Sequence, residues 1–134
     1  MREILFEGKR TDNNEWIRGN LVHTQKKGLD YYEIFTLDGT QSATVKTETV
    51  REFTGLTDKN GEKIFEGDII SYIWVTLAGE ADEKKHLIAY NDNKAKFVAD
   101  CITNNYSLPT FEYVGQRGKI IGNRWDNPEL LQEE

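Results

Sequence analysis

The chain has 134 residues, 30% of them charged, with a single cysteine; it is the size of one domain, or of a small barrel with an appended sheet, and long enough to bury a core without staples. Its 17 basic and 23 acidic residues give a net charge of -6, the wrong sign for non-specific phosphate binding. Cys101 has no partner in the chain, which excludes an intrachain disulfide framework and suits a reducing compartment.

The first residues, Met1 to Lys9, are too short and too charged for a signal h-region, and no run approaches the ~20 apolar residues of a membrane helix. A soluble, cytoplasmic protein is expected, with no membrane partner. Short runs of β-branched and aromatic residues then recur between Gly, Asn and Asp, the pattern of sheet. Strands are expected at Glu3 to Phe6, Glu15 to His23 and Tyr31 to Leu37, the last ending at the hairpin signal Asp38-Gly39. A short strand at Ala43 to Lys46 follows, and Thr47 to Phe53 reads as a helical turn or irregular crossover.

The segment "EFTGLTDKNGEKIFEGDII", Glu52 to Ile70, carries two turn signals, Asn60-Gly61 and Gly67-Asp68, ahead of an apolar run. From Asp68 to Leu77 the chain is expected to be extended. Ile69, Ile73, Val75 and Leu77 then share one face and Ile70, Tyr72 and Trp74 the other, so both faces need cover. Gly79 to Lys85 reads as a charged loop. His86 to Tyr90 and Ala95 to Cys101 read as strands around a turn, the second with Ala95, Phe97, Ala99 and Cys101 on its apolar side. Thr103 to Thr110 reads as a polar loop, and Phe111 to Val114 and Lys119 to Ile121 as strands either side of "GQRG". Gly122-Asn123 turns the chain toward Trp125. Asn127 is placed as a cap, Pro128 at the first helical position and Glu129 in the first turn of a short C-terminal helix docked by Leu130 and Leu131.

Little in this pattern suggests chemistry. "DKNG" resembles the opening of a calcium loop, but Gly61 stands fourth from Asp58 where that loop needs its Gly sixth. Cys101, His23 and His86 are too few and too scattered for a zinc site. Cys101 and His86 could face each other across a hairpin, although Cys101 falls on the apolar side of its strand. No serine has a nucleophile-elbow frame, and "GQRGKIIG" runs on as strand where a phosphate loop needs a helix N-terminus. Neither metal nor cofactor is expected, nor an enzyme. Trp16, Trp74 and Trp125 suit core or subunit contacts better than base stacking, given the acidic balance.

Three blocks, "EWIRGNLV", "ETVREFTGLTDKNGEKIFEGDII" and "GKIIGNRWDNPELL", resemble the YopX-like family of small phage and prophage proteins, in the family's order and across almost the whole chain. The resemblance implies a mainly β protein: an N-terminal β region, residues 1-56, packed on a C-terminal SH3-like small barrel, residues 57-134. It also implies phage or prophage origin, hence the cytoplasm of a host bacterium, and it supplies no activity.

The reading that results is a non-enzymatic accessory protein that binds other proteins or itself. A homo-oligomer is expected, with a host or phage protein as a further partner. The candidate binding residues are Thr54, Gly55, Asp58, Gly67, Asp68, Tyr72, Trp74 and Trp125. The alternative is a nucleic-acid-binding barrel using Lys94, Lys96, Arg117, Lys119 and Arg124. It is the less favoured, because neither half of the chain is basic: residues up to Gly67 include 10 basic and 12 acidic, and those beyond include 7 and 11.

Overall fold

The computed structural model describes residues 1–102 and 111–132; the loop expected at Thr103 to Thr110 lies outside them. The protein is mainly β, as its alternation and turns imply. The chain divides into two compact units, Met1–Phe53 and Thr54–Glu134.

In the first unit, β1 (Phe6–Lys9), β2 (Trp16–Lys26), β3 (Leu29–Phe35) and β4 (Ser42–Thr44) form antiparallel pairs in sequence order. The start of β5 (Arg51–Thr57) pairs on the other side of β1. Strand β1 begins at Phe6, not at the expected Glu3, because its polar residues are buried with partners. Glu7 sits between two cross-strand neighbours, Arg18 of β2 and Arg51 of β5. Its carboxylate accepts from Arg51 Nη2 at 2.7 Å and Arg18 Nε at 2.8 Å. A buried carboxylate is tolerated only when paired and hydrogen-bonded in this way. The hairpin β2–β3 outruns its expected ends through a two-residue turn, Lys27-Gly28, both at positive φ (52° and 78°), the backbone that hairpin twist favours. Thr47–Thr49 is a 3₁₀ turn, within the expected crossover, whose last residues, Arg51 to Phe53, are instead strand. Ile17, Ile34 and Val45 form the core, with Phe6, Leu21, Tyr32, Ala43 and Val50 packed around it.

In the second unit, β6 (Lys63–Phe65) precedes β7 (Asp68–Val75), β8 (Ala81–Asn91), β9 (Lys96–Cys101), helix α1 (Phe111–Arg117) and β10 (Lys119–Asn123). The order β10-β7-β8-β9 makes an antiparallel four-stranded sheet. Ile70 and Tyr72 of β7, Ile88 of β8 and Ala99 of β9 share its inner face and pack with Ile64, Phe111 and Val114. Removing one of these branched side chains would cost roughly 2–5 kcal/mol.

Three expectations are corrected here. Phe111 to Val114 is not a strand but the first half of α1, and "GQRG" is not a hairpin turn but the end of that helix. Phe111, Val114 and Gly115 fall at i, i+3 and i+4 and are all buried, a helical stripe. A Cβ on Gly115 would lie 3.2 Å from Ile64 Cδ1, so the glycine serves close packing of helix on core. The charged stretch read as a loop to Lys85 is strand from Ala81 onward. At the C-terminus the expected short helix is present as a single 3₁₀ turn, Pro128–Leu131. Asn127 does not cap it; its Oδ1 accepts instead from the Asn123 N–H at 3.2 Å.

Gly67 is one of the tight positions in this unit. It holds φ +87°, and a Cβ there would overlap the Trp125 ring. Its N–H donates to Ile88 and its carbonyl accepts from Arg124. Gly67→Ala is expected to lower stability by on the order of 2 kcal/mol, read from the midpoint of urea unfolding. An unchanged midpoint would mean that the backbone and the ring relax freely.

Candidate functional site

The residues singled out by sequence reasoning fall into a buried set and an exposed set. Asp58 is 5% exposed. Its Oδ1 accepts from the N–H groups of Asn60 and Glu62, both at 2.9 Å, and its Oδ2 from the Ile120 N–H at 2.9 Å. Asp68, also buried, accepts from the Phe65 N–H at 2.8 Å. Thr54 Oγ1 donates to the Ile64 carbonyl at 2.8 Å, and Gly55 lies in β5 at positive φ. Asp58, Asp68 and Thr54 thus satisfy backbone groups of the turns around them. Their chemistry is turned inward.

The exposed set lies on β7. Its inner residues, Asp68 to Tyr72, are buried, while Ile73, Trp74 and Val75 are 50%, 41% and 64% exposed. The sheet register explains the change. On one side β10 accompanies β7 only to Ser71, opposite Lys119. On the other side of the pair, β9 accompanies β8 only from His86 onward, with Ile102 bonded to the Lys85 carbonyl. Tyr72 to Val75 and Ala81 to Lys84 are paired with each other. Among the described residues no further strand pairs with them, so they form a two-stranded ribbon that outruns the sheet.

At the base of the ribbon the Tyr72 hydroxyl donates to that of Tyr113 at 3.3 Å, the rings meeting edge to face at 5.7 Å. That bond and burial hold the Tyr72 phenol above its ordinary pKa. The Arg117 guanidinium lies 3.9 Å from the Tyr113 ring centroid, a cation–π contact. Trp74 continues the same face outward, opposite Asp82, which pairs with Lys84 at 2.8 Å. Tyr113 escaped sequence reasoning because its segment was read as strand; the Phe111, Val114, Gly115 spacing was the available signal. Trp125 stands apart from Trp74, half-buried against Gly67 with Arg124 at 5.7 Å over its ring.

The five cations of the alternative reading do not gather. Arg117 and Lys119 lie at the ribbon end, where Lys119 is level with Ser71 and Lys85. Lys96 pairs with Asn91 at the other end of β8, with Lys94 in the adjoining turn, and Arg124 bonds Gly67 at the start of β7. From the row of Ile102 to Lys96 is six residues along β9, about 20 Å at strand rise.

His86 and Cys101 are directly opposed across β8 and β9. His86 is fully buried. Desolvation pushes its pKa down to about 4, partly opposed by a hydrogen bond with the Lys84 backbone, so the ring is neutral at pH 7 and out of contact with solvent. Among the described residues no group of His, Cys, Asp and Glu is placed to hold a metal ion, and no helix is long and apolar enough to cross a membrane.

The chain matches the model of a known family. Its model, described as YopX protein, matches residues 5–132, and the chain belongs to the YopX family. No curated protein matches it. Among solved structures it is similar to the crystal structure of protein EF1440 from Enterococcus faecalis. The identity is 23%, the TM-score 0.57, and the match covers 98% of this chain and 100% of that one. That likeness shows the fold.

Two outcomes are expected. Asp58→Ala leaves three part-buried backbone N–H groups without their acceptor and should cost roughly 3 kcal/mol, measured by denaturant unfolding; a loss of a few tenths would mean that water replaces the carboxylate. For His86, the folded pKa of about 4 lies below the unfolded value of about 6.5. The unfolded chain therefore binds the extra proton, and stability falls as pH drops from about 6.5 to 4, by roughly 3 kcal/mol in all. His86→Leu should flatten that slope; a slope unchanged in the variant would assign the acid sensitivity to other groups.

Proposed function

We propose that this member of the YopX family is a non-enzymatic binding module that assembles with copies of itself through the ribbon of β7 and β8. The reading extends to an accessory role of phage or prophage origin in the cytoplasm of the host bacterium, which family membership supports. The observation that carries the self-assembly is the exposure of Ile73, Trp74 and Val75 on strands that outrun both neighbours. A two-stranded ribbon is marginal in water by itself, and one that shows apolar side chains on both faces gains most by being covered.

Charge favours a second copy as the cover. Each copy carries a net -6, so copies repel over most of their surface. Ser71 to Gly79, however, is a run of nine residues without a charge. Opposite it, Asp82 is neutralised by Lys84, and Glu83 accepts from Ser71 Oγ at 2.7 Å. The ribbon is thus a place where two acidic chains can approach. The separation of the basic residues into two ends of the sheet favours a protein partner over a nucleic acid.

Sedimentation of the wild-type chain over a micromolar concentration series tests this. Association that weakens about tenfold or more in Trp74→Glu, with near-ultraviolet circular dichroism still native, is the expected result. A wild-type chain that stays monomeric throughout, or a folded Trp74→Glu that associates as before, would overturn it.

A further inference from the structure

We infer that the assembly is made edge to edge, with β7 of one copy hydrogen-bonded antiparallel to β7 of a second across a two-fold axis at Trp74. The inference rests on the self-assembly proposed above and names its geometry. Ile102 N–H donates to the Lys85 carbonyl, so the polar backbone groups of Lys85 point toward β9. Ser71, the β7 residue opposite Lys85, must then point its own toward β10, as antiparallel pairing alternates. An independent bond agrees: the Thr76 N–H donates to Glu80 on the β8 side. The same alternation turns the N–H and C=O groups of Ile73 and Val75 outward on the β10 side. There β10 has already ended at Lys119, opposite Ser71. Among the described residues this edge is open.

The open edge and the strand that would fill it match in length. A two-fold at Trp74 pairs Ile73 with Val75 of the second copy, in both directions, and Tyr72 with Thr76. The next pairing would drive Leu77 of the second copy into Lys119. The chain has turned away by then, because Thr76 to Glu80 is a closed turn, with Thr76 N–H bonded to Glu80 and Gly79 N–H to Thr76. The pairing also sets the two Trp74 side chains in the non-hydrogen-bonded position, where cross-strand side chains approach most closely. Residues 72–76 contain neither proline nor charge, the devices that usually guard an exposed edge.

Two measurements on the full chain test the geometry. Val75→Pro removes one outward N–H from each copy without touching the β8 side, a place where an edge strand accepts proline. Association should weaken roughly tenfold or more, with the fold retained by circular dichroism. Should that variant unfold, amide hydrogen exchange on the wild type gives the same answer: the Ile73 and Val75 amides should be protected in concentrated samples and exchange freely on dilution. Association that persists in Val75→Pro, or with those two amides exchanging freely, overturns edge pairing while leaving self-assembly through the ribbon faces. A monomeric wild type overturns both.

Discussion

The second unit depends on where three backbone N–H groups find an acceptor. Asn60 and Glu62 in one turn and Ile120 in β10 all point at the Asp58 carboxylate. A turn of this kind leaves inward N–H groups that no strand can satisfy, and burying them bare would cost more than the contacts around them return. Asp58 resolves this for two segments 62 residues apart. Because Ile120 is itself paired with Ile70, the turn, β10 and the first half of β7 are set in one arrangement. With that end of β7 fixed, its other end projects.

The first unit meets a similar demand differently. Glu7 stands in a row of three directly opposed residues, Arg18, Glu7 and Arg51, on three adjacent strands. The row fixes register as well as charge, since a slip of one residue would turn Glu7 to the opposite face and away from both guanidinium groups. Hydrophobic pattern alone does not specify β1, which is why its position could not be read from apolar spacing.

What the sequence made legible follows from which forces leave a local trace. Alternation in β2, β3 and β9, the apolar run of β7 and the turn at Asp38-Gly39 are local, and they read correctly as sheet. Glu7 and Lys9 are buried by partners remote in sequence, so the expected first strand stops short of them at Phe6. The Ala81 to Lys85 half of β8 reads as loop because a ribbon in solvent imposes no alternation on its side chains. Helix α1 is two turns long, too short for periodicity to outweigh its aromatic and β-branched start. In the candidate site, the apolar side chains on both faces of β7 pointed to a need for cover, and Ile73, Trp74 and Val75 are exposed. Asp58 and Asp68 carried the same sequence signal as ligand-gripping carboxylates; only the position of the amides around them assigns them to the scaffold.

The three tryptophans also provide distinct optical reporters. Trp16, with Arg51 at 4.3 Å and Lys9 at 5.5 Å over its ring, belongs to the first unit; Trp125, against Gly67, belongs to the second; Trp74 stands on the ribbon. Each ring has a different polarity around it, so emission from single-tryptophan versions of the chain resolves three events that absorbance or mass would merge. Melting of either unit and coverage of the ribbon can each be followed by a colour shift, with no label added.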